Sequence, residues 1–401
     1  MLDFTFDIFG VSGTSQLIFN GLVTGLVFGL LAMGIVLIYR STRVINFAVG
    51  NMGLPASVLL ALMVVNYGFP YWVALPLALL VGTLLGAPDG FRGRIAPGGS
   101  EAVVLAARAA RNHARVVRGL AGPLEILAPE TVHPSFAKAA DLLGMTLVKV
   151  ATTDSLAADP SAMTEAVSAR TALVVASAPT YWHGIWDDAA ALGRLAAKRD
   201  IWFHVDACVG GYSAPFVKKL GYPVPDFDFA VPGVCSMSAD LHKYGFCAKG
   251  TSSVFYRNQS LAKYQPFDFK DWPQGRFECP NVASTRPGGS ISAAWAVMNH
   301  LGEDGYLKLN KRLMRMRQRY INGIKAIDGL YIRGEPELLI VSYGSDEFDM
   351  GAVADEMQRR KWFVGSQVNP RGIMIGLSLP HEAVVGEYLD DLSRSVTKAK
   401  K

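Results

Sequence analysis

Charge is almost absent from the first 86 residues of this 401-residue chain. The only charged residues there are Asp3, Asp7, Arg40 and Arg43. The uncharged stretches 8–39 and 44–88 are each longer than the roughly 20 apolar residues that cross a membrane. The 39 Lys and Arg and 34 Asp and Glu of the chain lie almost entirely after residue 86. This distribution excludes a single water-soluble globular domain.

Patterns of disulfide, metal and nucleic-acid-binding proteins are also missing. The four cysteines form no Cys-x-x-Cys pair, which favours reduced thiols over a disulfide framework. The seven histidines include no pair spaced i, i+4, so we expect no metal site. The net charge of +5 is small for the length and does not indicate binding of nucleic acid.

The apolar stretches predict three membrane crossings, at 16–39, 47–65 and 71–86. Arg40 and Arg43 follow the first crossing and place that loop in the cytoplasm by the positive-inside rule. We therefore expect an inner or plasma membrane protein whose later residues lie on the cytoplasmic side. The acidic N-terminus is unlike a signal peptide, so the segment is expected to be retained.

Part of this segment resembles a transport protein. Residues 21–53, GLVTGLVFGLLAMGIVLIYRSTRVINFAVGNMG, resemble the start of a branched-chain amino acid ABC transporter permease. A permease needs several more membrane helices, and the sequence after residue 86 has the wrong composition for them. An ATPase partner is expected only if the permease interpretation holds.

From residue 97 onward, short apolar runs alternate with amphipathic helical stretches, including 102–117 and 187–198. The runs that predict strands are 124–128, 146–150, 172–176, 201–205 and 252–256. This alternation predicts an α/β fold with a large, mostly parallel sheet. The pattern after residue 300 predicts a smaller C-terminal domain.

Three short segments of this region carry candidate chemistry, and the first is rich in glycine. Gly98 and Gly99 let the backbone approach an anion closely, and Ser100 lies at the start of the helix that they open. The free N–H groups of a helix start favour phosphate. An ordinary capped loop remains the alternative.

The second segment is the end of the strand predicted at 201–205. Asp206 follows that strand at the carboxyl edge of the sheet, where ligands of α/β proteins bind. An aspartate there can pair with a protonated ring nitrogen, as a pyridoxal cofactor requires. Capping of the following loop is the alternative function of this residue.

The third segment is Ser-Ala-Asp-Leu-His-Lys-Tyr-Gly at 238–245. Lys243 follows a histidine among small and polar residues, where a partly desolvated amine can form a Schiff base with an aldehyde. A single lysine is more often a surface charge. The order of phosphate loop, aspartate and lysine is more specific than any one of the three segments.

Residues 98–396 resemble the group II pyridoxal-phosphate decarboxylases and, within them, the sphingosine-1-phosphate lyases. The motifs that carry the resemblance are His-Val-Asp-Ala-Cys-Val-Gly-Gly-Tyr at 204–212, the segment 238–245, Lys249-Gly250 and Arg286-Pro287-Gly288-Gly289. The resemblance implies a type I transferase fold with bound pyridoxal 5'-phosphate. The implied division is a membrane segment at 1–86, a junction at 87–97, a large domain at 98–300 and a small domain at 301–401.

The resemblance also implies residue roles. Lys243 would hold the cofactor as a Schiff base, Asp206 would pair with the ring nitrogen, and His133 would stack on the ring; these three are the expected catalytic residues. The other expected cofactor contacts are Gly98, Gly99, Ser100, Ala207 and His242, with Gly288 and Gly289 reaching the site of a neighbouring subunit in a homodimer. His133 could instead be a residue of the helix start before Pro134.

The implied reaction is retro-aldol cleavage of a phosphorylated sphingoid base to a long-chain aldehyde and phosphoethanolamine, with Lys243 or a nearby histidine as the base. The same chemistry would support decarboxylation of an amino acid, so the substrate is either lipid or amino acid. Family members begin well before the segment at 98–101, and that part is not found here. A fusion of a permease fragment with an inactive, N-terminally truncated lyase domain is the third hypothesis.

Overall fold

The computed structural model describes residues 5–8, 11–14, 92–283 and 288–401. The described chain divides into two compact units, one built from 92–265 and 289–401 and the other containing the segments 5–14 and 266–283. The second unit contributes two short antiparallel strand pairs. Apart from the bounds of these four strands, all further description concerns the first unit.

The predicted membrane crossings at 16–39, 47–65 and 71–86 lie outside the described residues. Within 92–283 and 288–401, no helix combines the length and the apolar character that a membrane crossing requires.

The strands are β1 Thr5–Ile8, β2 Val11–Thr14, β3 Arg92–Ala96, β4 Glu125–Pro129, β5 Thr146–Val150, β6 Thr171–Ser177, β7 Trp202–Asp206, β8 Val234–Ala239, β9 Ser252–Tyr256, β10 Phe267–Phe269, β11 Phe277–Cys279, β12 Tyr331–Ile332, β13 Ile340–Gly344, β14 Gly365–Val368 and β15 Arg371–Gly376. The helices are α1 Gly99–Val117, α2 Ser135–Leu143, α3 Pro160–Glu165, α4 Ala189–Lys198, α5 Ala214–Lys219, α6 Gln259–Ala262, α7 Gly288–Lys325, α8 Met350–Arg359 and α9 His381–Ala399. Helix α7 is kinked at Gly302.

The main sheet has the strand order β3-β9-β8-β7-β6-β4-β5. Strands β4 to β8 pair in parallel, whereas β9 is antiparallel to β8 and β3 is antiparallel to β9. The prediction of a mostly parallel sheet is therefore confirmed. Because the carboxyl ends of parallel strands meet at one edge of a sheet, β6, β7 and β8 bring Ser177, Asp206 and Ala239 to the same edge.

The five predicted strands match β4, β5, β6, β7 and β9 to within one residue at each end. The sequence analysis missed β8, whose sequence Val-Cys-Ser-Met-Ser-Ala is too polar to resemble a buried strand, and β3, which carries two arginines. Strand β3 begins at Arg92, so the sheet extends into the stretch 87–97 that was predicted to be a junction.

The core follows the two-residue repeat of the strands. Ile126 and Leu173 face one side of the sheet, where they pack with the alanine-rich helix α1, and Leu127 and Val174 face the other. The second side is continuous with the core of a small antiparallel sheet, β12-β13-β15-β14. This small sheet and helices α8 and α9 follow α7 in the chain.

The loop after β6 is fastened to the small sheet. The carbonyl of Trp182 accepts a hydrogen bond from Nε2 of Gln367 at 2.6 Å. Gly184 has a φ of +71°, and a Cβ added there would lie 2.4 Å from the carbonyl oxygen of Ile340 in β13. Any residue with a side chain would therefore be strained at this position and would also displace the backbone of β13.

We expect Gly184→Ala to destabilise the protein by about 2–4 kcal/mol, because a left-handed backbone and a backbone clash are combined. Gly144 is a matched control, since its φ is +62° and an added Cβ would contact nothing within 4 Å. Gly144→Ala should cost only about 1 kcal/mol. The measurement is thermal unfolding of both variants, and equal losses of melting temperature would contradict the expectation.

Candidate active site

A cavity of about 250 Å³ lies at the carboxyl edge of the main sheet. Seven residues predicted from the sequence line it: Gly98, Gly99, Ser100, His133, Asp206, His242 and Lys243. Ala207, which follows Asp206 in the chain, is fully buried and does not line the cavity. Gly288 and Gly289 form the start of α7 and are not among its lining residues. One cavity therefore unites the three segments that the sequence analysis singled out.

Lys243 is held by an aspartate that the sequence analysis did not select. Its Nζ lies 3.1 Å from Oδ2 of Asp240, three residues earlier, and 5.3 Å from the centre of the Tyr181 ring. Burial alone would lower the pKa of Lys243, but the negative charges of Asp240 and Asp206 raise it above its ordinary value. The amine is therefore an ammonium at neutral pH and must lose a proton before it can attack an aldehyde.

Asp206 ends β7 with its carboxylate buried. Oδ1 accepts hydrogen bonds from the Ser238 hydroxyl at 3.0 Å and from the Cys208 backbone N–H at 3.1 Å. Burial opposes ionisation, but the bonds from Cys208 and the positive charge of Lys243 outweigh it and lower the pKa of Asp206. A carboxylate that stays ionised in a buried place is suited to pair with a cationic ring nitrogen.

His133 lies on the cavity wall and also at a helix start. Its Nδ1 accepts a hydrogen bond from the backbone N–H of Ser135, the first residue of α2, at 3.1 Å. Its ring meets the Tyr181 ring edge-on, with the ring centres 5.8 Å apart. Burial lowers the pKa of His133. The neutral ring therefore carries its proton on Nε2, and the residue both lines the cavity and lies at a helix start.

The N-terminus of α1 and His242 also line the cavity. No side chain caps α1, whose preceding residue is Gly98, so free backbone N–H groups are left at its start. An added Cβ on Gly99 would lie 2.8 Å from Oδ1 of Asp240 and 3.1 Å from Sγ of Cys208, so only glycine fits against them. Nδ1 of His242 donates a hydrogen bond to the Thr251 carbonyl at 2.6 Å, and Nε2 lies 3.6 Å from Oδ2 of Asp240.

Sequence reasoning missed several lining residues: Ser135, Ser177, Pro179, Tyr181, Cys208, Val209 and Asp240. Asp240 could have been found, because it lies within the segment 238–245 at a spacing of three residues from Lys243. Tyr181 and Pro179 could not, since the loop after β6 has no motif that indicates chemistry.

The residues on the cavity fit pyridoxal phosphate by their chemistry. Lys243 offers an amine for the aldehyde, Asp206 offers a buried anion for the ring nitrogen, and the open start of α1 offers N–H groups for the phosphate. The close packing around Gly99 leaves room there for backbone alone. Fold and site together are those of an α/β enzyme of the pyridoxal-phosphate class.

Comparison with known proteins gives the family. A family model described as the pyridoxal-dependent decarboxylase conserved domain matches residues 72–344, and the chain belongs to that family. Pyridoxal phosphate is accordingly its cofactor. A second model, the branched-chain amino acid transport system permease component, matches residues 17–91. The resemblance of the N-terminal segment to a permease is thereby confirmed.

Within the family, the chain is similar to sphingosine-1-phosphate lyases. It is 38% identical to the lyase of Arabidopsis thaliana over 82% of this chain and 60% of that protein, and 39% identical to lyase 1 of Rattus norvegicus over 79% and 56%. It is also 35% identical to the L-aspartate decarboxylase of Thermococcus kodakarensis, over 80% of both chains. The solved structure of a sphingosine-1-phosphate lyase from Burkholderia pseudomallei superposes with a TM-score of 0.77 at 30% identity and covers 94% of this chain and 84% of that one. The chain thus spans about 60% or less of the curated plant and rat lyases.

Replacing Asp240 by asparagine should lower the pKa of Lys243, because it removes the nearest negative charge and keeps the shape of the side chain. The deprotonated fraction at neutral pH would rise, so cofactor-free protein should react severalfold faster at Lys243 with a small aldehyde and borohydride. Mass spectrometry of the Lys243 peptide across a pH series measures this.

The matched control is Asp226→Asn, which removes a carboxylate from an exposed ion pair with Lys218. Its labelling profile at Lys243 should equal that of the unmodified chain. A profile in Asp240→Asn that does not move to lower pH would contradict the assigned charge interaction.

Proposed function

We propose that this chain is a pyridoxal-phosphate-dependent carbon–carbon lyase that cleaves a phosphorylated sphingoid base into a long-chain aldehyde and phosphoethanolamine. The observation that carries the proposal is the single cavity on which Lys243, Asp206, His133 and the start of α1 meet. Its support from similarity is the identity of 34–39% to sphingosine-1-phosphate lyases of plants, animals and microorganisms.

Each residue has a distinct proposed task. The amine of Lys243 holds the cofactor aldehyde, the carboxylate of Asp206 pairs with the ring nitrogen, and His133 packs on the ring. The phosphate is bound by Gly98, Gly99, Ser100 and His242, Ala207 supports the ring from the other side, and Gly288 and Gly289 contribute to the site of a second subunit in a homodimer. When bound, the cofactor supplies an electron sink for the pair left by the broken bond.

Lys243 is the preferred base for removing the substrate hydroxyl proton. The ring of His133 accepts a hydrogen bond at Nδ1 and carries its proton on Nε2, so it can donate but has no free nitrogen to accept. Nζ of Lys243 is uncharged at the moment when the substrate amine replaces it, so it can accept the hydroxyl proton. Asp240, 3.1 Å away, then stabilises the ammonium that forms. We therefore assign proton removal to Lys243 rather than to the histidine.

Decarboxylation of an amino acid is the second candidate. The observation that favours it is the match to an L-aspartate decarboxylase over 80% of the length of that protein, compared with 60% and 56% of the Arabidopsis and rat lyases. The same amine, carboxylate and phosphate site would serve both reactions, because each leaves an electron pair beside the amino group.

We further propose that the stretches 16–39, 47–65 and 71–86 form membrane helices that keep the catalytic part at the cytoplasmic face. Support comes from the charge-free stretches and from the permease model that matches 17–91. The catalytic part would comprise the large domain up to residue 300 and the small domain at 301–401, with the sheet beginning at Arg92. A permease fragment joined to an inactive lyase domain is the competing arrangement and would require an ATPase partner.

The chemical proposal is tested on full-length protein supplied with pyridoxal phosphate. Borohydride should attach the cofactor covalently to Lys243. Lys243→Ala should abolish this label and lower the activity by at least about a thousandfold, because the amine both holds the cofactor and acts as the base. Lys263→Ala is the control, since Lys263 does not line the cavity. Long-chain aldehyde from a sphingoid phosphate supports the lyase.

Carbon dioxide from L-aspartate without aldehyde would move the assignment to a decarboxylase. If the folded chain shows no borohydride label on Lys243, both enzyme proposals are wrong and the inactive domain is favoured.

The membrane proposal predicts that full-length chain stays with the membrane after an alkaline carbonate wash, since helices of about 20 apolar residues resist extraction. In sealed vesicles, protease should remove the part after residue 92 only when the cytoplasmic face is outward. Release of intact chain by carbonate would show that it does not cross the bilayer.

A further inference from the structure

Four buried side chains form a hydrogen-bonded row that ends on Asp206. Nε1 of Trp202 lies 2.8 Å from Oγ of Ser236, which lies 2.8 Å from Nδ1 of His204. On the other side of the ring, Nε2 of His204 lies 3.2 Å from Oγ of Ser238, and Ser238 donates to Oδ1 of Asp206 at 3.0 Å. Trp202, His204 and Asp206 alternate along β7, so they share one face of the sheet.

The chemistry of the two ends gives this row one direction. The indole N–H of Trp202 can only donate, and the ionised carboxylate of Asp206 can only accept. Ser238 therefore donates to Asp206 and accepts from Nε2 of His204, while Ser236 accepts from Trp202 and donates to Nδ1. Burial lowers the pKa of His204 to about 4, so the ring is neutral at pH 7 and carries one proton, which this order of donors assigns to Nε2.

The fold alone does not call for polar residues in this row. Strands inside a mostly parallel sheet are usually continuous apolar runs. The opposite face of β7 follows that rule with Phe203 and Val205, whereas His204, Ser236 and Ser238 have no exposed surface at all. A fully satisfied polar network in such a place rigidifies its members, and each member would be costly if left unpaired.

We propose that His204, Ser236 and Ser238 are positioning residues that hold the Asp206 carboxylate ionised and fixed in orientation for the ring nitrogen of the cofactor. The row delivers one aligned hydroxyl to Oδ1, and the Cys208 backbone N–H delivers a second donor to the same oxygen. The proposal rests on the proposed cofactor-dependent function. It adds that the strength of the pairing at Asp206 is set by residues that line no part of the cavity.

The first test compares two ligands in one variant. Ser238→Ala removes the donor to Asp206, and pyridoxal phosphate should bind about tenfold more weakly, as loss of one hydrogen bond to a charged group predicts. A deaza analogue, with carbon in place of the ring nitrogen, cannot pair with Asp206, so its dissociation constant should change less than about twofold. Absorbance titration of cofactor-free full-length chain measures both constants.

Two further variants separate positioning from general damage. Ser395→Ala removes another fully buried hydroxyl, which donates to the Asp391 carbonyl within α9, and should weaken neither ligand. Ser238→Thr keeps a hydroxyl and should restore preference for pyridoxal phosphate. Equal weakening of both ligands in Ser238→Ala, or no weakening, would overturn the proposal.

The second test needs no cofactor. In chain labelled with ¹⁵N-histidine, the ring of His204 should show a protonated Nε2 and an unprotonated Nδ1, with assignment by loss of the signals in His204→Gln. A ring with its proton on Nδ1, or a doubly protonated ring at neutral pH, would overturn the proposed direction. If the unmodified chain binds neither pyridoxal phosphate nor its analogue, the proposed function fails. The position of the proton on His204 would still test the direction of the hydrogen-bonded row.

Discussion

Asp206 keeps a negative charge where burial opposes it, and the candidate site is organised around that charge. Donors from Ser238 and Cys208 stabilise the carboxylate directly, and the ammonium of Lys243 contributes at longer range. Lys243 is itself held by a second carboxylate, Asp240, so two anions and one cation share a single cavity. Removing either anion would lower the pKa of Lys243, and removing the cation would raise the pKa of Asp206.

The strands that form the floor of the site could be predicted because their apolar runs are short and bounded by polar residues. Strand β7 is an example, since Trp-Phe-His-Val is followed by Asp206 at the carboxyl edge. Strand β8 could not be predicted by the same rule. Its two serines form hydrogen bonds with His204 and Asp206. The same two serines make the run too polar to be predicted as a buried strand.

The candidate residues were predictable where a motif holds several of them together. Lys243 and His242 are adjacent, and Gly98 to Ser100 are consecutive at the start of α1, so chemistry and sequence proximity coincide. Tyr181 reaches the cavity from a loop whose position depends on contacts with strands more than 150 residues later, and no local pattern shows such contacts. His133 could be placed both at a helix start and at the site, because it accepts a hydrogen bond from the first backbone N–H of α2 and also lines the cavity.

The loop after β6 connects the candidate site to the small sheet. Trp182 is bonded to Gln367, Gly184 lies against the backbone of Ile340, and Tyr181, next in the chain to Trp182, lines the cavity beside Lys243. The position of the Tyr181 ring beside the Lys243 amine therefore depends on contacts that the small sheet makes. The C-terminal part of the chain thus helps to shape the cavity through this loop, although it contributes no residue to the cavity wall.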